Sequence, residues 1–203
     1  MTTNLGSPTA TDFLDNLKNK TAAAHKNLEQ LSVSASILSP DLQIDDYCHY
    51  LALMYEVHKS TQEHVFPLLS AIFPDLEERK KMHLIENDLD FLNHKITKSA
   101  PVFNHQNLTI PFALGILYVV EGSSLGGRFI LKNLETVPVL SNQGGISYFT
   151  GYGNKTGSYW KQFLSVLTNY QQEHNVEDEI IKGAVYAFDR IHNHFLNTAK
   201  NEN

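Results

Sequence analysis

The chain has 203 residues, 42% of them hydrophobic and 19% charged, with a formal net charge of -6. That size suits one domain with a core able to enclose a cofactor pocket, and the balance excludes a fibrous chain or wholesale disorder. An acidic excess speaks against a nucleic-acid binder, which needs a basic face to displace counterions from phosphate.

The opening segment MTTNLGSPTATD has neither the basic start nor the apolar stretch of a secretion signal. Residues 1–10 are therefore expected to form a disordered tail and residues 11–203 a single domain. The lone Cys48 excludes an internal disulfide and a multi-cysteine metal or iron–sulfur site, and fits a reducing cytosol. From Thr11, the positions Leu14, Leu17, Thr21, Ala24, Leu28 and Leu31 recur at steps of three and four, the stripe of a first helix. Ser39-Pro40-Asp41 reads as the start of a second, which carries Tyr47, Tyr50, Leu51, Met54, Tyr55, Val57 and His58 at helical spacing until Pro67 breaks or bends it.

Pro74-Asp75 reads as the opening of another helix, acidic in its first turn and basic after it, that ends near Asn93. A loop is expected from Thr97 to Leu108, and Thr109-Ile110-Pro111 starts a long apolar helix through Asn133. Its apolar run, Pro111 to Val120, stops at Glu121, about half of the ~20 residues of a membrane span. A cytoplasmic protein with no membrane contact is the expectation. Residues 138–157, rich in Gly, Ser, Asn and Thr, read as an irregular connection, followed by helices from Ser158 to about His174 and from Val176 to Thr198. No period-two strand is apparent, so the fold class is all-α.

Two features point to chemistry. Gly115, Gly122 and Gly126 share one face of the apolar helix, with Gly127 beside them, and each glycine costs roughly 1 kcal/mol relative to alanine there. Either a neighbouring helix packs tightly on that strip or a flat ligand lies against its backbone; the spacing fits both. On the first helix, His25 shares a face with Lys18 and Glu29. Such a face supplies an imidazole ligand, a carboxylate for its second ring nitrogen and a cation for an acidic ligand edge, although a lone histidine on a helix flank is also an ordinary structural residue.

The segment from Leu17 to Glu29, with the pattern LK..T...H..LE, resembles the proximal helix of haem oxygenases. The segment from Leu117 to Gly127 resembles their distal helix, in the bacterial form YV.EGS.LG, and Tyr148 to Gly153 and Gly157 to Phe163 resemble the stretch after the distal helix in bacterial relatives. The resemblance implies a single-domain helical bundle with haem between the proximal first helix and the glycine-rich distal helix. It makes His25 the iron ligand, Glu29 its hydrogen-bonding partner, Lys18 and Lys161 basic contacts for the haem propionates and Tyr118 a further propionate or network partner. Gly122, Gly126 and Gly127 become distal backbone over the haem, and Phe188 and Phe195 line the pocket. Two positions depart from the wider pattern. Animal members carry an aspartate where this chain, like bacterial ones, has Ser123, and a second basic position after Lys161 is Ser165.

The implied reaction uses oxygen and electrons to open haem, both substrate and cofactor, to biliverdin, carbon monoxide and iron. Its implied partners are a ferredoxin or reductase as electron donor and a bilin-accepting phytochrome, with iron acquisition as the other outcome. Ser123 is expected to hold a water that supports oxygen activation. Two alternatives keep the fold: a non-catalytic haem carrier or sensor, and a diiron oxidase, for which Asp46 with His49 and Asp189 with His192 have ligand-like spacing.

Overall fold

The computed structural model describes residues 10–96, 100–105, 108–140 and 144–199, and all regular structure within them is helical. The first helix, α1 (Ala10–Glu29), buries Leu17 and Thr21 of the predicted stripe together with Phe13, while Leu14, Ala24 and Leu28 are half-buried at its edge. The Thr21 hydroxyl donates to the Leu17 carbonyl, which lets a polar side chain lie on that buried face. A short α2 (Ser32–Ser36) leads to α3 (Ile44–Ser60).

Helix α3 starts later than Ser39-Pro40-Asp41 suggests. The Ser39 hydroxyl accepts the Asp41 N–H, so these residues close a turn, and the helix begins after extended Gln43. At its far end α3 runs through a π-turn (Thr61–Val65) into α4 (Phe66–Leu69), with Pro67 in the first turn of α4. Proline offers no N–H to the carbonyl four residues back, and the wider turn just before it absorbs that mismatch, so Pro67 bends the element without ending it.

The helix expected from Pro74-Asp75 starts later than that signal suggests: residues 74–79 form turns, within which the Asp75 carboxylate pairs with Arg79 at 2.8 Å. Helix α5 (Met82–Phe91) begins only where the Gln62 side-chain oxygen accepts the backbone N–H groups of Lys81 and Met82. That cap comes from a residue distant in sequence.

Helix α6 (Ile110–Leu134) matches its prediction closely, with the Thr109 hydroxyl accepting the Phe112 N–H and Pro111 in the first turn. By length and composition it could cross a membrane, yet 56% of its most apolar stretch is buried inside the protein, as expected of a core helix. The irregular connection contains α7 (Ser147–Thr150), whose first N–H groups at Ser147 and Tyr148 both bond to buried Asp88, and a 3-10 turn at Gly153–Lys155. Helix α8 (Thr156–His174) ends on left-handed Asn175, and α9 (Glu177–Ala199) completes the chain's described helices.

Helix α9 packs against both α1 and α6, while α1 and α6 scarcely touch each other. Helix α9 therefore joins α1 to α6. Contact between α6 and α9 is unusually close at Gly115, where an added Cβ would lie 2.0 Å from the Ile180 carbonyl oxygen. This glycine therefore serves helix packing, the first of the two explanations open to the strip.

Candidate active site

The four glycines of α6 divide by what they face. Gly115 faces α9; a Cβ on Gly122 would meet the Trp160 ring at 3.5 Å, and one on Gly127 the Phe149 ring at 3.4 Å. Nothing lies within 4 Å of a Cβ built on Gly126. Bare helix backbone thus borders open space at Gly126, a surface fit for a flat apolar ligand.

On α1, the His25 side chain is 58% exposed, with Nε2 3.5 Å from Glu29 Oε1, too long for a good hydrogen bond but within reach of one after a small ring rotation. Its ring stands edge-on to Phe188 of α9, centroids 5.6 Å apart. Buried Phe195 meets Tyr50 edge-on and Tyr50 stacks on Phe149, so an aromatic floor runs from α9 to Gly127. Lys18 and Lys161 are solvent-exposed on α1 and α8, and Tyr118 is half-buried against Trp160, where burial pushes its hydroxyl pKa up. Exposed Leu125 and Phe129, the latter 73% accessible, extend the apolar character of α6 beside Gly126.

Behind the glycine segment lies a polar layer that spacing does not reveal. Glu121, buried inside an apolar helix, pairs with buried Arg79 at 2.7 Å and accepts the Tyr152 hydroxyl at 3.0 Å. The Arg79 guanidinium lies between the Phe73 and Tyr159 rings. Burial works against its charge, but Asp75 and Glu121 outweigh burial and hold its pKa above the ordinary value. A carboxylate in the middle of an apolar run is the one signal in the sequence that such a partner must exist.

Ser123 donates to the Val120 carbonyl at 2.7 Å, and the hydroxyl of Tyr148, which lines the same small cavity as Ser123, lies 3.0 Å from His58 Nε2. Burial, reinforced by the charge of Lys81, lowers the His58 pKa well below its ordinary value, so the ring is neutral. Burial likewise pushes Tyr148 up. A cavity of about 30 Å³, lined among others by Ser123, Ser124, Lys81, Tyr148 and Tyr152, adjoins this chain and is polar and roomy enough for a water. Nothing in the local spacing of His58 or Lys81 marks them as neighbours of the site. Among the described residues, no group of three or more His, Cys, Asp or Glu is placed to hold a metal ion, which leaves the diiron alternative without a ligand set.

Comparison with known proteins agrees with this architecture. Heme oxygenase PigA of Pseudomonas aeruginosa is 28% identical over 172 residues, covering 82% of this chain and 83% of the relative. The NO- and CO-bound heme oxygenase of Neisseria meningitidis superposes with a TM-score of 0.72 at 25% identity, covering 92% of this chain and 91% of that one. Heme oxygenase-1 of Synechocystis, solved in complex with heme, shares the fold with a TM-score of 0.72 at 17% identity over 93% of each chain. The family model described as Heme oxygenase matches residues 11–197, and the chain belongs to the haem oxygenase family.

Proposed function

We propose that the cleft between α1 and α6 holds haem with His25 as the iron ligand, and that this chain's own residues carry out the ring opening to biliverdin, carbon monoxide and iron characteristic of its family. The placement is supported by an exposed imidazole on α1, which packs edge-on to Phe188 of α9, and by open helix backbone at Gly126 on α6, the helix that packs on the other side of α9. These residues fit the group. An apolar disc needs flat, featureless contact on one face and a nitrogen donor on the other.

When bound, haem supplies both the ring that is opened and the iron at which oxygen is reduced. Glu29 accepts the second ring nitrogen of His25 and orients the imidazole. Lys18 and Lys161, with Tyr118, meet the propionates at the polar edge, where exposed cations lose little hydration. Phe188 and Phe195 exclude water from the apolar part. On the distal side Gly126 brings open backbone to the ring, flanked by Gly122 against Trp160 and Gly127 against Phe149, and the Ser123 hydroxyl, able to donate and accept, holds a water where a proton is needed. Neutral His58 and un-ionised Tyr148 form a pair behind Ser123. We assign the electron supply to a ferredoxin or reductase, oxygen as co-substrate, and the cytoplasm as the place of action.

Adding haemin to the purified protein tests the reading. A histidine-type Soret band that decays to a biliverdin spectrum after reductant is added in air is the expected result, with His25→Ala lacking normal ligation. A Soret band that persists under turnover would favour a carrier, and no band at all would remove haem from the cleft.

A further inference from the structure

We propose that Lys81 is a positioning residue for the ring-opening reaction, holding and replenishing the proton that reaches Ser123 across the cavity the two side chains share. The inference rests on the haem reading of the cleft. Lys81 is 3% exposed, and burying an ammonium is costly unless it is fully paired. Yet its nearest carboxylate oxygen, Glu121 Oε1, lies 4.0 Å away and already accepts the Tyr152 hydroxyl, while Arg79 holds the other oxygen of the same carboxylate. The ammonium donates instead to the Ser124 hydroxyl and sits 4.4 Å from the centre of the Tyr152 ring, at the wall of the small cavity. Ser123, on the cleft side, lines the same cavity, and so do Thr150 and Gly151, which are exposed to solvent. One water-sized space thus lies between bulk water, a buried cation and the serine of the distal helix.

The groups that surround Lys81 leave it as the acid with a proton to give. From α3, His58 is held neutral; from α7, Tyr148 is pushed up; from the 3-10 region, Tyr152 is pushed far above its ordinary value by burial and by Glu121. Arg79, from the same turn as Lys81, does not release its proton at working pH, and Glu121 of α6 is its ion-pair partner. Lys81 itself is lowered, chiefly by burial and further by Arg79, with Glu121 opposing. The transfer moves one proton and no electrons. Lys81 Nζ gives a proton to a water in the cavity, that water passes one to Ser123 Oγ as the serine's own proton moves on toward the cleft, and the neutral amine regains a proton from solvent beside Thr150.

Lys81→Arg separates this role from a structural one, because arginine keeps the charge and the reach to Ser124 but cannot release a proton at working pH. In the haem complex, Lys81→Arg and Lys81→Met are expected to keep the Soret band while the rate of ring opening falls by at least about tenfold in both. Methylammonium added to Lys81→Ala is expected to restore part of the rate. Independently of turnover, the Lys81 amine of the unsubstituted haem-free protein, followed by nitrogen NMR, is expected to titrate below the ordinary lysine value of about 10.4. Wild-type turnover in Lys81→Arg, or a Lys81 amine that titrates at or above that value, would overturn the proposal; absence of a Soret band in the unsubstituted protein would instead sink the haem reading on which it rests.

Discussion

Gly115 and Gly183 put the backbones of α6 and α9 in contact: a Cβ on Gly115 would stand 2.0 Å from the Ile180 carbonyl oxygen, and one on Gly183 2.1 Å from that of Phe112. Neither neighbour can yield, since both are helix backbone. Gly115→Ala is therefore expected to force the helices apart and cost roughly 3 kcal/mol, a fall in Tm on the order of 10 °C for a chain of this size. A thermal melt of the haem-free protein checks it, and an unchanged Tm would show that the contact is looser than this geometry.

Gly126→Ala should do the reverse. With nothing within 4 Å of the added Cβ, the substitution removes only the helix penalty of glycine and is expected to stabilise the haem-free chain by up to about 1 kcal/mol. The same methyl projects into the space assigned to haem, so haem affinity and turnover are expected to drop. Parallel melts and haemin titrations give the two signs, and a methyl that leaves haem binding intact would count against the placement.

Arg79→Met leaves Glu121 buried without its main partner. Breaking such a pair typically costs about 3–5 kcal/mol, and Lys81, already 4.0 Å from Glu121, can move in to compensate, so a loss near the lower end is expected. Urea denaturation measures it as a lower midpoint at similar slope.

His58 predicts an acid-sensitive stability. Its folded pKa lies well below the ordinary 6.5, so between those values the unfolded chain binds a proton that the folded chain does not. The stabilisation is complete above about pH 6.5 and is lost as the pH falls, with a slope of up to roughly 1.4 kcal/mol per pH unit. His58→Gln, which can still bond to Tyr148, should flatten the dependence between pH 7 and 5. The half-buried His194, also lowered by burial, keeps a residual slope, so the difference between the two proteins isolates His58.

The helices legible in the sequence are those whose signals are local. The stripe on α1 and the Thr109-Ile110-Pro111 start of α6 can be read because period and cap lie within a turn or two of each other. The start of α5 lies later than its local pattern suggests, since its cap is Gln62, about twenty positions upstream, while Asp75, which looks like a first-turn residue, is taken up by Arg79. At the proposed site, His25 and the glycines of α6 stand out through their motifs. What each glycine faces is not, because Ile180, Trp160 and Phe149 reach α6 from other parts of the chain. The buried groups behind Ser123 are hidden for the same reason, as His58 and Tyr148 are 90 positions apart.

Helix α6 is held at both ends, the far one by buried Leu134 and by the Asn133 amide, which donates to the Ile37 and Ser39 carbonyls. Its first half is clamped in the interior, with Ala113, Leu114, Ile116 and Leu117 at 0% exposure and Gly115 locked against α9. Arg79 grips it at Glu121, and beyond that point the helix carries its glycines and outward-facing Leu125 and Phe129. Amides in the first half are expected to exchange only with global unfolding, and those of the exposed stretch from Ser123 to Phe129 through local opening. The anchor at the start of that stretch is an ion pair buried behind it.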